Sequence, residues 1–332
     1  MEQWLAKSAS WLVRPILPLS YGQAGYKIRQ RVFGDSELSE DLSGRVALVT
    51  GANSGIGKAT ALALAERRAE VWLLCRNPER AEAARQDIIQ QTGNFNVRTA
   101  LLDLSDMSRI REFALQEAPP VVDILVHNAG VLPDERWMTN DGLEFTLATN
   151  LLGPFLLTHL LLKALHHSKE ARVIHVSSGG MYTQKLDLEQ MKRPPEPFDG
   201  VVQYAQTKRA MVLLNQQWAE RYPDISFASM HPGWVDTPAV KTSLPRFHKL
   251  MQTMMRDSEG GADTVIWLAA RKTLDGPNGA FWFDRKTQNP YPLPWTRESK
   301  ATRMVLWSWC EQHVGLETTT PHDSQTDHRQ HT

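Results

Sequence analysis

The chain has 332 residues, 42% of them hydrophobic, and its 37 Lys plus Arg balance 37 Asp plus Glu. That length and apolar content suffice to bury the core of one large domain, and the zero net charge excludes the phosphate-neutralising surface that a nucleic-acid binder needs. Two cysteines, Cys75 and Cys310, are too few for a disulfide framework, and the eleven histidines offer no helical pair with a third ligand, so a reducing compartment and no metal are expected.

Residues 1–43 read as an extension ahead of the main domain. Trp4, Leu5, Trp11 and Leu12 share one face at helical spacing, which predicts a short amphipathic helix over residues 2–13. Two settings suit it: packing on the protein's own surface or on a second subunit of a homo-oligomer, and peripheral contact with a membrane. Lys7, Arg14, Pro15 and Pro18 interrupt its apolar stretches, so neither a signal peptide nor a span is expected there. The best internal candidate, Phe155 to Leu165, is broken by Thr158, His159 and Lys163 and reads as a buried helix. The expected location is cytoplasmic, with membrane association through the N-terminus as its variant. Asp35 to Ser43 is polar and acidic and reads as a linker.

From Arg45 the pattern changes to short apolar runs separated by helical stretches. Strands are expected at Val46 to Val49, Val71 to Leu74, Val97 to Leu102, Ile124 to Val126, Val173 to Val176, Ile225 to Met230 and Ala280 to Phe283. Helices are expected at Lys58 to Arg67, Pro78 to Gln91, Leu143 to His166, Gln203 to Arg221 and Gly261 to Arg271. This alternation predicts an α/β fold, a Rossmann-type doubly wound parallel sheet in a single domain over residues 44–285 with helices on both faces. Residues 286–316 follow as a C-terminal extension, and 317–332, without a core-forming pattern, read as a disordered tail.

Directly after the first strand comes Thr50 Gly51 Ala52 Asn53 Ser54 Gly55 Ile56 Gly57, opening an alanine-rich helix. Glycine at 51 permits a turn, and glycine at 55 or 57 lets a dinucleotide pyrophosphate approach backbone N–H groups at a helix N-terminus. The second strand ends Leu74 Cys75 Arg76 Asn77, with no carboxylate for a ribose 2′-hydroxyl and with Arg76 placed to meet a 2′-phosphate. NADP(H) is therefore expected in preference to NAD(H); an ordinary solvated loop arginine is the alternative.

Tyr204 and Lys208 stand four apart in an expected helix and so share a face. A phenol titrates near pH ~10, and a lysine cation with an oxidised nicotinamide beside it favours the phenolate, as acid–base work near neutrality requires.

Jointly these features resemble the short-chain dehydrogenase/reductase (SDR) superfamily over about residues 44–285. The resemblance rests on the Thr50 to Gly57 loop, Asp103 at a strand end, Asn128 Ala129 Gly130, Asn150, Ser177 Ser178, the Tyr204 to Lys208 pair, and Pro232 Gly233 with Thr237. Val176 to Met181, Tyr204 to Gln206 and His231 to Pro238 resemble one branch of its dehydrogenase/reductase series. What the resemblance implies is an oxidoreductase interconverting a carbonyl and an alcohol. In it Tyr204 protonates the carbonyl oxygen, Ser178 donates a hydrogen bond to it, Lys208 also holds the nicotinamide ribose, and Asn150 anchors a relay water. The cofactor would be bound by Gly51, Asn53, Ser54, Gly55, Ile56, Gly57 and Arg76. Asp103 and Leu104 would lie at the adenine, Asn128, Ala129 and Gly130 along the cleft, and Pro232, Gly233 and Thr237 at the carboxamide end. Register with the family selects Ser178 over Ser177, and Tyr182 reads as packing.

Twenty-five residues separate Ser178 from Tyr204, including Lys192 to Pro195 and Pro197, which implies a surface insertion beside the site. Pro238 to Arg256, with Phe247, Leu250, Met251, Met254 and Met255, reads either as a lid over an apolar small-molecule substrate or as a core-packing helix. Trp295, Trp307 and Trp309 could seal the site, dock a subunit or touch a membrane. Two other functional readings stand beside the enzyme: a non-catalytic NADP-binding regulator or scaffold, and an extended-type sugar-nucleotide epimerase.

Overall fold

The computed structural model describes residues 20–33, 40–274 and 276–317. The amphipathic helix expected over 2–13, most of the linker and nearly all of the tail lie outside these described residues. A single α/β domain is built on an eight-stranded sheet in the order β3-β2-β1-β4-β5-β6-β7-β8. Its strands are β1 Val46–Thr50, β2 Glu70–Cys75, β3 Val97–Leu101, β4 Ile124–His127, β5 Arg172–Val176, β6 Ser226–Met230, β7 Phe281–Phe283 and β8 Lys286–Thr287. The first seven run parallel and match the expected runs to within one residue at each end. β8 turns back antiparallel on β7, through a turn in which Asp284 and Arg285 hold positive φ of 49° and 57°. Two residues long and exposed, β8 carries too little apolar pattern to be read from sequence.

Helices cover both faces because the parallel strands are apolar on both. On one face lie α2 Gly55–Glu66, α3 Pro78–Thr92 and α12 Ser258–Ala270, packed on Val49, Val71, Leu73 and Val126. Asn77 caps α3 by accepting from Arg80 N at 2.8 Å, and Gly93 ends it with φ of 69°. On the other face lie α4 Met107–Glu112, α5 Phe145–Leu147, α6 Gly153–Leu160, α7 Leu162–His166, α9 Gly200–Arg221 and the C-terminal α13 Lys300–His313. Three short helices, α8 Leu188–Lys192, α10 Pro238–Ser243 and α11 Pro245–Met251, sit in the connections at the sheet's C-terminal edge, and α1 Gln23–Gln30 precedes the domain.

Three expectations are corrected. The helix expected to run unbroken from Leu143 to His166 is divided into α5, a π-turn at Ala148–Leu152, α6 and α7. Pro154 has no N–H to return to the carbonyl four residues earlier, that of Asn150, so the regular ladder fails there. Trp307 belongs to none of the three roles considered for the C-terminal tryptophans: it is 2% exposed in the core, 4.5 Å from Trp218 and 5.0 Å from Phe155 between ring centroids. The lid reading of 238–256 loses two of its methionines: Met251 and Met255 are buried, as the core-packing alternative has them, while Met254 and Leu250 are exposed.

Candidate functional site

The strand order reverses between β1 and β4, and at such a switch point the loops leaving the C-terminal ends of the two strands part to form a crevice. The glycine loop leaves β1 there. Gly51 and Gly55 hold positive φ of 65° and 54°, and a side chain on Gly57 would place its Cβ 2.4 Å from both Gly51 O and Asn128 Nδ2. The loop is thus drawn tight against the β4 end. Asn128 Nδ2 donates to Thr50 O at 3.0 Å, while Thr50 Oγ1 accepts from the N–H groups of Asn128 and Ala129, each at 3.0 Å. Thr50 was not singled out among the candidate site residues, although its place beside Gly51 is the signal that could have found it.

Ser54 caps α2 through its backbone alone, leaving the first N–H groups of that helix without a side-chain acceptor, Asn53 beside them and Ile56 half-buried behind. Thr237 approaches from across the crevice, its Cγ2 3.3 Å from the Cβ position of Gly55. An open glycine cradle at a helix N-terminus fits the pyrophosphate of a dinucleotide. Under it, Cys75 receives N–H groups from Ala52 and Asn53, and burial pushes its thiol up to about 11, so it is a neutral floor and not a nucleophile.

Arg76 is exposed just past β2, without an ion-pair partner among the described residues. Asp103, past β3, accepts from Ser105 N and Oγ at 2.8 and 2.7 Å. Leu104 is buried, and its carbonyl stands 2.1 Å from where Gly153 would carry a Cβ, which requires glycine at that crossing of α6.

Beside the crevice stand the residues expected to carry acid–base chemistry. Asn150 lies in the π-turn, fully buried; its Oδ1 accepts from Val131 N at 2.8 Å and its Nδ2 donates to Val131 O at 2.9 Å and Thr207 Oγ1 at 3.3 Å. The π-turn is what rotates this amide inward toward α9, where Lys208 and Tyr204 reside. Lys208 Nζ donates to Val176 O at 2.9 Å and lies 5.6 Å from the centre of the Tyr204 ring. A Cβ on Gly130 would stand 3.3 Å from Lys208 Nζ and 3.5 Å from Asn150 Oδ1, so this exposed glycine leaves the space above both polar atoms open.

The two serines after β5 have different partners. Ser177 is buried and donates to Lys208 O at 3.1 Å, tying strand to helix. Ser178 accepts from Gly180 N at 3.2 Å, opening the 3-10 turn Gly179–Thr183, and its hydroxyl stands close enough to Tyr204 to favour the phenolate. Burial raises the Tyr204 phenol above its ordinary value, against the downward pull of Ser178, and lowers Lys208 to about 8. Desolvation is the larger effect on the phenol here, and the Lys208 ammonium is engaged with a backbone carbonyl. Tyr182 packs edge-on to Phe281 and His231.

The loop after β6 closes the crevice. Gly233 holds φ of 84°, and a Cβ there would meet Arg256 Nε at 2.3 Å and Tyr21 O at 2.7 Å; with Pro232 before it, the chain turns sharply toward Thr237. Both ends of the 238–256 segment are zipped together, Arg256 N donating to Trp234 O at 2.7 Å and Asp236 N to Arg256 O at 2.8 Å. A strap at residues 20–33, including α1, is laid over that junction: Tyr21 O accepts from Trp234 N at 2.9 Å and Arg256 Nε at 3.0 Å, and Gln23 N donates to Met254 O at 2.9 Å. Among the described residues no helix is long and apolar enough to cross a membrane, and no cluster of His, Cys, Asp and Glu could hold a metal ion.

The short chain dehydrogenase family matches residues 45–246. The chain is 40% identical over 311 residues to human dehydrogenase/reductase SDR family member 12, covering 93% of this chain and 98% of that one. It is 32% identical over 321 residues to human retinol dehydrogenase 13, covering 92% and 96%. Among solved structures, an uncharacterised protein from Mycobacterium Paratuberculosis superposes with a TM-score of 0.67 at 27% identity, covering 85% of this chain and 97% of that one. A match across β1 to β6, together with relatives aligned along nearly the whole chain, makes this protein a member of the short-chain dehydrogenase/reductase family and an oxidoreductase.

Proposed function

We propose that the enzyme interconverts a carbonyl and an alcohol with NADP(H), using Tyr204 as its acid and base, on an apolar small molecule. The observation that carries this reading is the placement of Lys208, its Nζ 5.6 Å from the centre of the Tyr204 ring and held by Val176 O, with Asn150 and the open space over Gly130 beside it. The bound nicotinamide supplies or accepts the hydride. Tyr204, kept protonated at neutral pH by burial, gives its proton to the carbonyl oxygen as the alcohol forms, and takes it back in the reverse direction. Ser178 donates to the same oxygen. Lys208, held by Val176 O, keeps a positive charge near the phenol, and Asn150, locked by Val131 and Thr207, presents a fixed amide below it. Gly51 to Gly57 hold the pyrophosphate, and Arg76 meets the 2′-phosphate.

The apolar substrate is supported by the half-buried aromatic residues around the β6 loop, with Trp234 set edge-on to Phe247 at 5.3 Å and Tyr21 5.9 Å from Trp234. The name retinol dehydrogenase carried by relatives such as that aligned over 92% of the chain points the same way.

The test is titration with NADPH and NADH, followed by NADPH consumption against a panel of aldehydes and ketones, for the parent and Tyr204→Phe. The variant is expected to bind NADPH as the parent does and to lose about 10²- to 10⁴-fold in kcat. Parental turnover in Tyr204→Phe would remove the tyrosine from the mechanism. In Arg76→Asp, the ratio of kcat/KM for NADPH over NADH should fall by about tenfold or more, the worth of a charge-assisted bond. An unchanged ratio rules out the assignment of Arg76.

A further inference from the structure

We propose that Arg209 and Glu298 are positioning residues of this site, anchoring both the turn that carries Ser178 and the helix that carries Tyr204 to the C-terminal extension. The inference rests on the reading of Ser178 and Tyr204 as the reacting pair.

Arg209 follows Lys208 directly, and one residue along a helix is a rotation of about 100°, so the two side chains leave α9 in different directions. Arg209 is fully buried, and its guanidinium makes five bonds. Nε donates to Glu298 Oε1 at 2.5 Å, Nη1 to Pro290 O at 2.6 Å and Met181 Sδ at 3.1 Å, and Nη2 to Thr296 O at 3.0 Å and Thr296 Oγ1 at 3.1 Å. The same group lies 4.5 Å from the centre of the Tyr291 ring.

Stability alone gives no reason for this arrangement, since a fully buried ion pair offers little over apolar side chains of the same volume. What a guanidinium adds is direction: its planar fork fixes several partners at once. With its own helix, these partners join three segments. Met181 is in the turn opened by Ser178, Arg209 is five residues beyond Tyr204, and Pro290, Thr296 and Glu298 come from outside the stretch matched by the family, which ends at residue 246. Arg209 therefore backs both the turn that carries Ser178 and the helix that carries Tyr204, and Glu298 supplies its counter-charge.

The experiment compares the full-length parent with Arg209→Lys and Met181→Leu. Lysine keeps the charge but not the fork; leucine removes only the sulfur acceptor at nearly constant volume. Measured are amide hydrogen exchange at residues 178–183, NADPH Kd, kcat, and the isotope effect with NADPH deuterated at the transferred position. In Arg209→Lys, exchange at the turn should rise about tenfold and kcat should fall about 10²-fold, the scale of a misplacement near 1 Å. NADPH Kd should stay within about twofold, because uniform cofactor binding is untouched, and the isotope effect should grow as chemistry becomes limiting. Met181→Leu should move exchange and kcat the same way by about threefold. Parental exchange at the turn, or a loosened turn with parental kcat and isotope effect, overturns the proposal, as does a kcat loss that only follows the folded fraction. Should Arg209→Lys not fold, parental exchange and kcat in Met181→Leu overturn it by themselves. A folded parent without turnover counts against the oxidoreductase chemistry instead, and exchange at the turn then decides the positioning role alone.

Discussion

At the scale of single residues, Ser177 and Ser178 show how adjacent, chemically identical side chains take different work. Strand geometry sends successive side chains to opposite faces. Ser177 reaches Lys208 O, while Ser178 accepts from Gly180 N in the turn on the Tyr204 side. Ser178→Ala should therefore lower kcat by about 10²-fold, the usual effect of removing one donor at a developing oxyanion, with NADPH affinity retained. Ser177→Ala should leave kcat near the parent and cost about 1 kcal/mol of stability, a fall of about 2–4 °C in Tm. Steady-state kinetics and thermal melts of both variants check this, and interchanged effects would reverse the assignment. Register with the family is what selects Ser178; the residues beside which the two serines lie are 26 to 31 residues away in the chain and leave no local signal. Arg209 was less legible still. A charged residue on an otherwise buried helix is unusual, but Glu298, which makes it tolerable, is 89 residues distant.

At the scale of elements, the parallel strands and their helices were legible because period and composition are local properties. The breaks were not. The helix around Asn150 has continuous apolar character, and only Pro154 hinted that its ladder would fail. The strap at residues 20–33 has no apolar period strong enough to place it; charge places it. Asp284 accepts from Arg256 Nη1 at 2.6 Å and Nη2 at 3.0 Å, and also from Arg29 Nε at 2.5 Å, so one buried carboxylate joins α1, the end of the 238–256 segment and the β7–β8 turn. Asp284→Asn suits the backbone, since asparagine tolerates the positive φ found there. It leaves two guanidinium groups short of an anion, and the expected loss is about 3–5 kcal/mol, read from the midpoint of denaturant unfolding. A loss under about 1 kcal/mol would show that the strap is held by something else.

At the scale of the whole molecule, the sheet is stabilised on both faces by apolar burial, but its C-terminal edge also buries neutral histidines. His127 and His175 stack at 4.8 Å, and His231 lies 5.0 Å from both Tyr21 and Phe283. Burial lowers all three, His175 to about 4 and His231 to about 3. Between those values and the unfolded value near ~6.5, the unfolded chain binds more protons than the folded one, so stability is full above that upper value and falls with falling pH. By pH 5, His175 and His231 should each have removed about 2 kcal/mol. Denaturant midpoints at pH 7 and pH 5 measure this, and His231→Gln should recover its own share of the loss, about 2 kcal/mol; equal midpoints for the parent would refute it. Legible from the residues alone were the parallel α/β sheet, the glycine loop and the Tyr204–Lys208 spacing, because each is encoded within one helix, strand or turn. The Ser177–Lys208 bond, the inward turn of Asn150, the strap over the junction of residues 238–256 and the Arg209–Glu298 ion pair were decided only by tertiary structure. Each joins groups far apart in the chain, and a buried polar atom takes whichever partner the packed fold brings within reach.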